Sequence, residues 1–190
     1  VFMKGCPLRC AWCHNPESQK AEREMMFRKN RCTGCGKCFA LCRFDLKNCD
    51  LCGACTVYCP ANAREIVGKE YTLEEVLEEV AADKLFYQTS NGGVTFSGGE
   101  CLAQPIFAVS LAKRLRERGV SVYIDTCGYA KRETLEKIIP YADRFLYDIK
   151  AIDANVHEKC TGKDNRLILD NLKFLCDMGC KVEIRYPLVK

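Results

Sequence analysis

From residue 70 onward, the hydrophobic positions follow two alternating periods, one typical of amphipathic helices and the other of buried β-strands. Thr72 and Glu75 form a capping box at the start of a helix that we expect to continue to about Gln88. In chain order, the remaining pattern predicts strand 93–96, helix 104–118, strand 120–125, helix 132–139, strand 144–150, a helical turn at 155–160, helix 165–178 and strand 181–186. Strands that alternate with helices in this way form βαβ units around a parallel sheet.

This alternation predicts an α/β fold, and the length of the chain limits its form. A complete eight-stranded α/β barrel needs about 250 residues, whereas about 150 of the 190 residues lie outside a cysteine-rich segment. A partial barrel and a doubly wound open sheet both fit this length. Either architecture places its chemistry at the carboxyl ends of the strands.

Polar and glycine-rich residues follow three consecutive predicted strands at that position. Any one of these clusters could serve a turn alone, but the same arrangement at three strand ends favours a shared site. The clusters are Ser97-Gly98-Gly99-Glu100, Asp125-Thr126-Cys127-Gly128 and Asp148-Ile149-Lys150.

Cysteine is the compositional outlier, at 16 of 190 residues, and eleven of the sixteen lie between residues 6 and 59. Disulfide frameworks stabilise small domains with thin cores, whereas the rest of this chain has material for an ordinary core. Clustered thiols in a protein of cytoplasmic type are better explained as metal ligands. The composition divides the chain into 1–28, 29–66 and 67–190. The middle segment has no core pattern, so bound metal would have to stabilise it.

The first three cysteines share one short loop in the spacing Cys6-x3-Cys10-x2-Cys13, directly after a strand-like run. Three thiolates can bind three corners of a [4Fe–4S] cube and leave the fourth iron without a protein ligand. A cluster with four protein ligands transfers electrons, whereas an open iron can also coordinate a small molecule. A zinc knuckle or three unligated thiols are the alternatives.

Two further runs repeat the Cys-x2-Cys-x2-Cys-x3-Cys spacing of bacterial ferredoxins, in which the fourth cysteine of each run binds the cluster of the other. We therefore expect two [4Fe–4S] clusters. Their ligand sets would be Cys32, Cys35, Cys38 and Cys59 for one, and Cys49, Cys52, Cys55 and Cys42 for the other. Zinc ribbons, the alternative, use cysteine pairs separated by roughly 15 to 20 residues. Only six residues separate the two runs, a shorter link than a standard ferredoxin uses.

Charge and hydropathy argue against two classes of partner. The formal charge of +4 is offset by the thiolate ligation of three clusters, which contributes about −5. The sequence has no basic stripe with interleaved aromatic residues, the pattern that would predict nucleic-acid binding. No segment has the roughly 18 to 20 apolar residues of a bilayer span, and no signal peptide opens the chain.

Strand-like residues at both ends suggest an internal fragment of a longer chain.

Together these motifs resemble the radical S-adenosylmethionine (SAM) superfamily, and within it the activating enzymes of glycyl radical enzymes that carry an inserted two-cluster ferredoxin domain. The resemblance covers essentially the whole chain and rests on the order of CPLRCAWCHNP, the ferredoxin-like insert, GGVTFSGGE, DTCGY and YDIK. It implies a partial (β/α)6-type TIM barrel and an oxidoreductase with three [4Fe–4S] clusters and SAM. Reductive cleavage of SAM at the open iron would give a 5′-deoxyadenosyl radical, which removes a hydrogen from a glycine Cα of the partner enzyme.

The resemblance also implies roles for individual residues. Cys6, Cys10 and Cys13, together with Lys150, would form the catalytic centre. The expected SAM contacts are Trp12 against adenine, Ser97, Gly98, Gly99 and Glu100 at the methionyl group, and Asp125, Thr126, Asp148 and Lys150 around the carboxylate and ribose. The last group can also bind a monovalent cation.

The implied partners are a glycyl radical enzyme and a flavodoxin or ferredoxin that donates electrons, and we expect a cytoplasmic monomer. We hypothesise that the two insert clusters relay electrons toward the SAM cluster. Two alternatives stay open: another radical SAM enzyme with auxiliary clusters that acts on a small molecule or peptide, and an iron–sulfur electron-transfer module. The second leaves the first cysteine loop and the three strand ends unexplained.

Overall fold

The computed structural model describes residues 1–42 and 48–188, which fall into two units. The first unit combines Val1–Gln19 with Tyr71–Lys190, and the second is Lys20–Glu70. The second unit is larger than the predicted segment 29–66, because residues on either side of the cysteine runs pair with each other as strands. The link between the two runs, apart from Asn48, lies outside the described residues.

The strands, in chain order, are β1 (Phe2–Met3), β2 (Glu24–Phe27), β3 (Arg64–Val67), β4 (Gly93–Gly98), β5 (Ser121–Thr126), β6 (Arg144–Asp148) and β7 (Val182–Arg185). The α-helices are α1 (Lys37–Leu41), α2 (Ala54–Val57), α3 (Leu73–Ala81), α4 (Lys84–Ser90), α5 (Pro105–Glu117), α6 (Arg132–Ile138), α7 (Ala154–Thr161) and α8 (Arg166–Asp177). Short 3-10 turns occupy Pro16–Ser18, Lys29–Arg31, Cys101–Ala103 and Ile139–Tyr141. Within the described residues, none of the helices combines the length and apolar character that a membrane span needs.

In the first unit, five parallel strands form one sheet in the order β1-β4-β5-β6-β7. Helices connect each strand from β4 onward to the next, as a parallel sheet requires. The predicted α/β class with a parallel sheet is therefore confirmed, and the arrangement is consistent with part of a TIM barrel.

The two faces of this sheet differ in burial. Alternate residues such as Val94 and Phe96 in β4 are buried in the apolar core, and burying each such side chain contributes roughly 1.5 to 3 kcal/mol. The intervening residues, among them Ser97 in β4, Asp125 in β5 and Asp148 in β6, are only partly buried. Because strand side chains alternate between faces, these polar groups share one face at the carboxyl ends of the strands.

The elements predicted from residue 93 onward are confirmed, with ends shifted by no more than two residues. The capping box is also present, with Thr72 N donating to Glu75 Oε2 over 2.7 Å and Glu75 N donating to Thr72 Oγ1 over 3.2 Å. The single helix predicted from this box to Gln88 is wrong, because the chain forms two helices, α3 and α4. Asp83 N donates to Val80 O, a tight turn that ends α3 before α4 begins.

The second unit has more regular structure than its sequence predicts. Strands β2 and β3 pair in antiparallel register, with Glu24 opposite Val67 and Phe27 opposite Arg64. The helices α1 and α2 follow Gly36 and Gly53, both of which have left-handed backbone conformations. The unit has little apolar core: Cys55 and Ala63 are the only buried hydrophobic residues in its described part.

Candidate functional site

A cavity of about 380 Å³ opens at the carboxyl ends of the parallel strands, and the first cysteine loop forms one of its walls. Residues predicted for the catalytic centre or for SAM contacts line this cavity together, with one exception. The predicted lining residues are Cys6, Cys10, Trp12, Cys13, Ser97, Gly98, Gly99, Asp125, Thr126, Asp148 and Lys150.

The base of the cysteine loop approaches the end of β4 closely because two glycines stand there. The N–H of Gly99 donates to the carbonyl of Met3 over 2.8 Å, and Gly5 N donates to Ser18 O over 2.7 Å. A Cβ atom at Gly99 would lie 2.5 Å from Gly5 O, and one at Gly98 would clash with the backbone of Met3. A larger residue at Gly99 would therefore separate the cysteine loop from the sheet, and one at Gly98 would separate β1 from β4.

Helix α7 holds the middle of the cysteine loop from the other side. The N–H of Arg9 donates to Thr161 O over 2.7 Å, and the N–H of Ala11 donates to Cys160 O over 2.9 Å. The last carbonyls of a helix have no partner within the helix, and here the backbone on both sides of Cys10 supplies one. The loop is thus positioned by main-chain hydrogen bonds.

A buried histidine supports this end of α7. His157 is completely buried, and its Nδ1 lies 2.7 Å from Lys163 O and 3.1 Å from Thr161 Oγ1. Thr161 Oγ1 also donates to His157 O over 2.8 Å. These contacts fix the C-terminal end of α7. The last carbonyl groups of α7 accept the hydrogen bonds of the cysteine loop.

Cys6 and Cys10 lie in a setting that favours the protonated thiol when no metal is bound. Burial raises the pKa of Cys6 to about 11. Burial also raises the pKa of Cys10; the positive charge of Lys150 lowers it and the neighbouring Cys13 raises it further. All three thiols are free. Metal binding here would have to displace protons, as it does at other thiolate sites.

A network of four charged side chains lies at the ends of β5, β6 and β7. Arg185 pairs with Asp125 and, through Nε at 3.0 Å, with Asp148 Oδ1. Lys150 Nζ donates to the other oxygen of Asp148 over 2.7 Å, and Ser97 Oγ donates to Asp125 Oδ2 over 2.7 Å. Burial lowers the pKa of Lys150, but the hydrogen bond and charge of Asp148 outweigh burial and raise it overall.

Arg185 also lines this cavity and is not among the predicted site residues. The sequence carries a signal for it, since Arg185 ends a fourth strand of the same alternation. Cys127, named only as part of a strand-end cluster, is also a lining residue, and burial raises the pKa of its thiol well above the ordinary value.

Glu100 is the predicted SAM contact that does not line the cavity. Its side chain is completely buried, and its carboxylate accepts hydrogen bonds from Leu102 N at 2.9 Å, Thr126 Oγ1 at 2.8 Å and Cys127 N at 2.8 Å. Burial raises the pKa of this carboxyl group. Glu100 thus joins the end of β4 to the loop after β5 from beneath the cavity.

The second unit brings together thiols from both ferredoxin-like runs. A cavity of about 150 Å³ is lined by Cys32, Cys35, Cys38 and Cys59, which is the first predicted ligand set. In the second set, burial raises the pKa of Cys55, and the nearby Cys49 and Cys42 contribute to the increase, whereas Cys52 is exposed. Among the described residues, no three His, Cys, Asp or Glu side chains converge closely enough to hold a single metal ion.

The two cysteine runs repeat the same local backbone geometry. The N–H of Gly34 donates to Cys32 Sγ over 3.5 Å, and the N–H of Leu51 donates to Cys49 Sγ over 3.4 Å. Gly34 and Leu51 both have positive φ values, 72° and 58°. A left-handed leucine is unfavourable by roughly 1 to 2 kcal/mol. Its presence at the position equivalent to Gly34 indicates that this wrapping around sulfur is structurally required.

A parallel sheet with a three-thiol loop and a cavity at its carboxyl ends defines an α/β protein with a candidate iron–sulfur site. Residues 50–190 match the family model described as the radical SAM superfamily. The chain is 45% identical over 202 residues to the trans-4-hydroxy-L-proline dehydratase activating enzyme of Clostridioides difficile, covering all of this chain and 67% of that protein. The chain therefore belongs to the radical SAM superfamily and, within it, to the glycyl-radical-enzyme activating enzymes.

Other comparisons agree with this family and fold. The choline trimethylamine-lyase activating enzyme of Oleidesulfovibrio alaskensis is 42% identical over 205 residues, covering all of this chain and 66% of that protein. The chain thus spans about two thirds of the length of these curated relatives. Among solved structures, Streptococcus suis SuiB bound to precursor peptide SuiA matches with a TM-score of 0.53 and 18% identity, over 65% of this chain and 28% of that one. At this identity the match supports the fold alone.

Proposed function

We propose that this chain forms the catalytic core of an activating enzyme that generates a glycyl radical on a partner enzyme. The observation that carries the proposal is the convergence of three free thiols, two strand-end glycines and a paired charge network on one cavity. Family membership supplies the reaction class. The particular glycyl radical enzyme that is activated does not follow from these residues.

Cys6, Cys10 and Cys13 fit a [4Fe–4S] cluster with one iron left open, because all three are free and line the same cavity. When bound there, the cluster and SAM supply a one-electron cleavage that yields a 5′-deoxyadenosyl radical, the species that removes a hydrogen from the partner's glycine Cα. The chain's own contribution is to bind and orient these groups and to exclude water from them.

The strand ends would orient SAM by charge and shape. Since the N–H of Gly99 is already bonded to Met3 O, Gly98 and Gly99 can offer carbonyl oxygens to the methionyl ammonium. Lys150 suits the carboxylate, and Trp12 offers an apolar face to adenine. Asp125 and Asp148 are already paired with Arg185, so a monovalent cation at these carboxylates would have to share them with that guanidinium.

The second unit suits a ferredoxin-like insert that holds two further [4Fe–4S] clusters with crossed ligands. Four thiols around one cavity and the repeated N–H to sulfur geometry support this proposal. Its boundaries would be 20–70, because β2 and β3 pair outside the cysteine runs. In this scheme the insert passes electrons from a flavodoxin or ferredoxin toward the SAM cluster. The protein acts as a cytoplasmic monomer.

The test is SAM cleavage by the reduced, iron-loaded protein under anaerobic conditions. We expect 5′-deoxyadenosine to form, and Cys10→Ala to abolish its formation while Cys176→Ala, at an exposed thiol outside both cysteine-rich regions, does not. A glycyl radical signal on the partner encoded beside the gene would then complete the proposal. Product without a glycyl radical would indicate another radical SAM reaction, and no product from the full-length protein would contradict the proposal.

A further inference from the structure

The second unit contains a partly buried cation that the proposed function does not use. Arg64, the first residue of β3, lines the 150 Å³ cavity that the four thiols form. Its guanidinium carbon lies 4.7 Å from the centre of the Phe27 ring, a cation–π contact that fixes the side chain. Its Nε is buried and has no hydrogen-bond partner among the described residues.

A buried N–H group without a partner is unfavourable by about 1 to 3 kcal/mol. Buried N–H groups in native proteins are rarely left without a partner, so the Nε–H of Arg64 calls for an acceptor close to it. The cavity that Arg64 lines is surrounded by cysteine sulfurs, and an iron–sulfur cluster would fill it with sulfide and thiolate acceptors. Hydrogen bonds to these sulfurs are one of the ways in which a protein sets the potential of a cluster.

We infer that Arg64 is a positioning residue for the insert cluster that Cys32, Cys35, Cys38 and Cys59 would hold: its Nε–H donates to a sulfur of that cluster, and its charge favours the reduced state of that cluster. This inference rests on the proposed function of the second unit. Reduction by an external donor adds one negative charge to a cluster, and a fixed neighbouring cation stabilises that charge. The stacking of Arg64 on Phe27 keeps the cation in place during electron transfer.

Arg28 provides a matched control in the same pair of strands. It follows β2 directly, and its Nη2 lies 3.1 Å from Glu65 Oε2 in an exposed ion pair. It is absent from the lining of the thiol cavity. Its charge is therefore balanced by Glu65 and screened by solvent, and its loss should leave the clusters unaffected.

The experiment is a redox titration followed by electron paramagnetic resonance (EPR), in protein whose Cys6, Cys10 and Cys13 are replaced by Ala so that only the insert clusters contribute. We expect Arg64→Gln to decrease the ratio of reduced to oxidised cluster at a fixed potential about tenfold, which is about 59 mV for a one-electron couple. Arg64→Lys, which keeps the charge but loses the planar donor group, should shift the potential less. Arg28→Gln should leave it unchanged.

Iron and sulfide analysis of each variant shows whether both clusters are loaded. Potentials in Arg64→Gln equal to those of the parent protein, with both clusters present, would overturn the inference, and so would an equal shift in Arg28→Gln. If Arg64→Gln fails to load, a potential in the loaded Arg64→Lys variant equal to that of the parent protein would overturn the hydrogen bond from Nε and, with it, the inference. Absence of any [4Fe–4S] signal from the insert of the parent protein would instead contradict the proposed clusters themselves.

Discussion

The two thiol-rich parts of the molecule are supported in different ways. The loop that carries Cys6, Cys10 and Cys13 follows β1 and is attached to a sheet with a packed apolar core, through backbone hydrogen bonds to Glu100 after β4 and to α7. In the described part of the second unit, only Cys55 and Ala63 are buried hydrophobic residues. The first site is therefore formed by the protein before metal binds, whereas we expect the second unit to need its proposed clusters to keep its fold.

The largest expected difference between the two regions appears when iron is removed. Anaerobic chelation should leave residues 20–42 and 48–70 largely unfolded, because their described part buries too little apolar surface, while the sheet of the first unit persists. Hydrogen exchange followed by mass spectrometry measures this region by region. Equal protection of the second unit with and without iron would contradict the comparison, and so would equal loss in both units.

A second prediction concerns the buried carboxylate beneath the first site. Glu100→Gln places an amide NH₂ group among three hydrogen-bond donors, so we expect a loss of roughly 3 kcal/mol in the free energy of unfolding of the first unit. SAM binding should weaken with it, because the ends of β4 and β5 lose their connection. Denaturant titration measures the stability, with Glu117→Gln at an exposed position of α5 as the control. Equal stabilities of the two variants would show that Glu100 does not join the strands.

A third prediction sharpens the role of α7. His157→Leu removes the partner of Lys163 O, and we expect the first unit to lose about 2 kcal/mol of stability. Less iron should be retained by the first cysteine loop, while the iron of the second unit is unchanged. His157→Gln, which can still donate a hydrogen bond, should restore part of both, and the exposed Glu158→Gln on the same helix should change neither. An iron loss shared by both regions would contradict this role.

The smallest expected effect is a pH dependence in the metal-free protein. Burial raises the pKa of Cys6 from 9.0 to about 11, so as pH rises the unfolded chain releases this proton before the folded chain does. The contribution of Cys6 to stability is therefore complete below pH 9 and lost between pH 9 and 11.

Denaturant titrations on both sides of pH 9 measure this effect in the parent protein and in Cys6→Ala. The variant should show a smaller decline of stability with rising pH. An identical decline in both proteins would mean that the Cys6 thiol ionises equally easily in the folded and unfolded chains.

Local sequence patterns predicted most of the helices and strands, because these elements depend on residues that are close together in the chain. The alternation around Val94 and Phe96 predicted β4, and the ferredoxin-type spacing grouped Cys32, Cys35, Cys38 and Cys59, which line one cavity. The pairing of β2 with β3 was not predictable, because each strand has only four residues and the partner lies about 40 positions away. The break between α3 and α4 depends on one turn at Asp83 that the helical period does not reveal.

Most of the predicted site residues line the cavity, but the sequence predicted neither the orientation of Glu100 nor the part of Arg185. A glycine-glycine-glutamate element has the same sequence whether its carboxylate enters the cavity or, as Glu100 does, lies beneath it. Arg185 looks like any arginine at a strand end. Its role depends on Asp125 and Asp148, which lie 60 and 37 positions earlier in the chain. Such contacts arise only when the strands assemble.

If the first cysteine loop leaves one iron free for SAM, EPR spectroscopy of the reduced protein with and without SAM will show it. We expect SAM to change the signal of one cluster, and we expect this change to be absent in Cys10→Ala. A spectrum that SAM leaves unchanged, or a SAM-dependent change that persists in Cys10→Ala, would contradict this expectation.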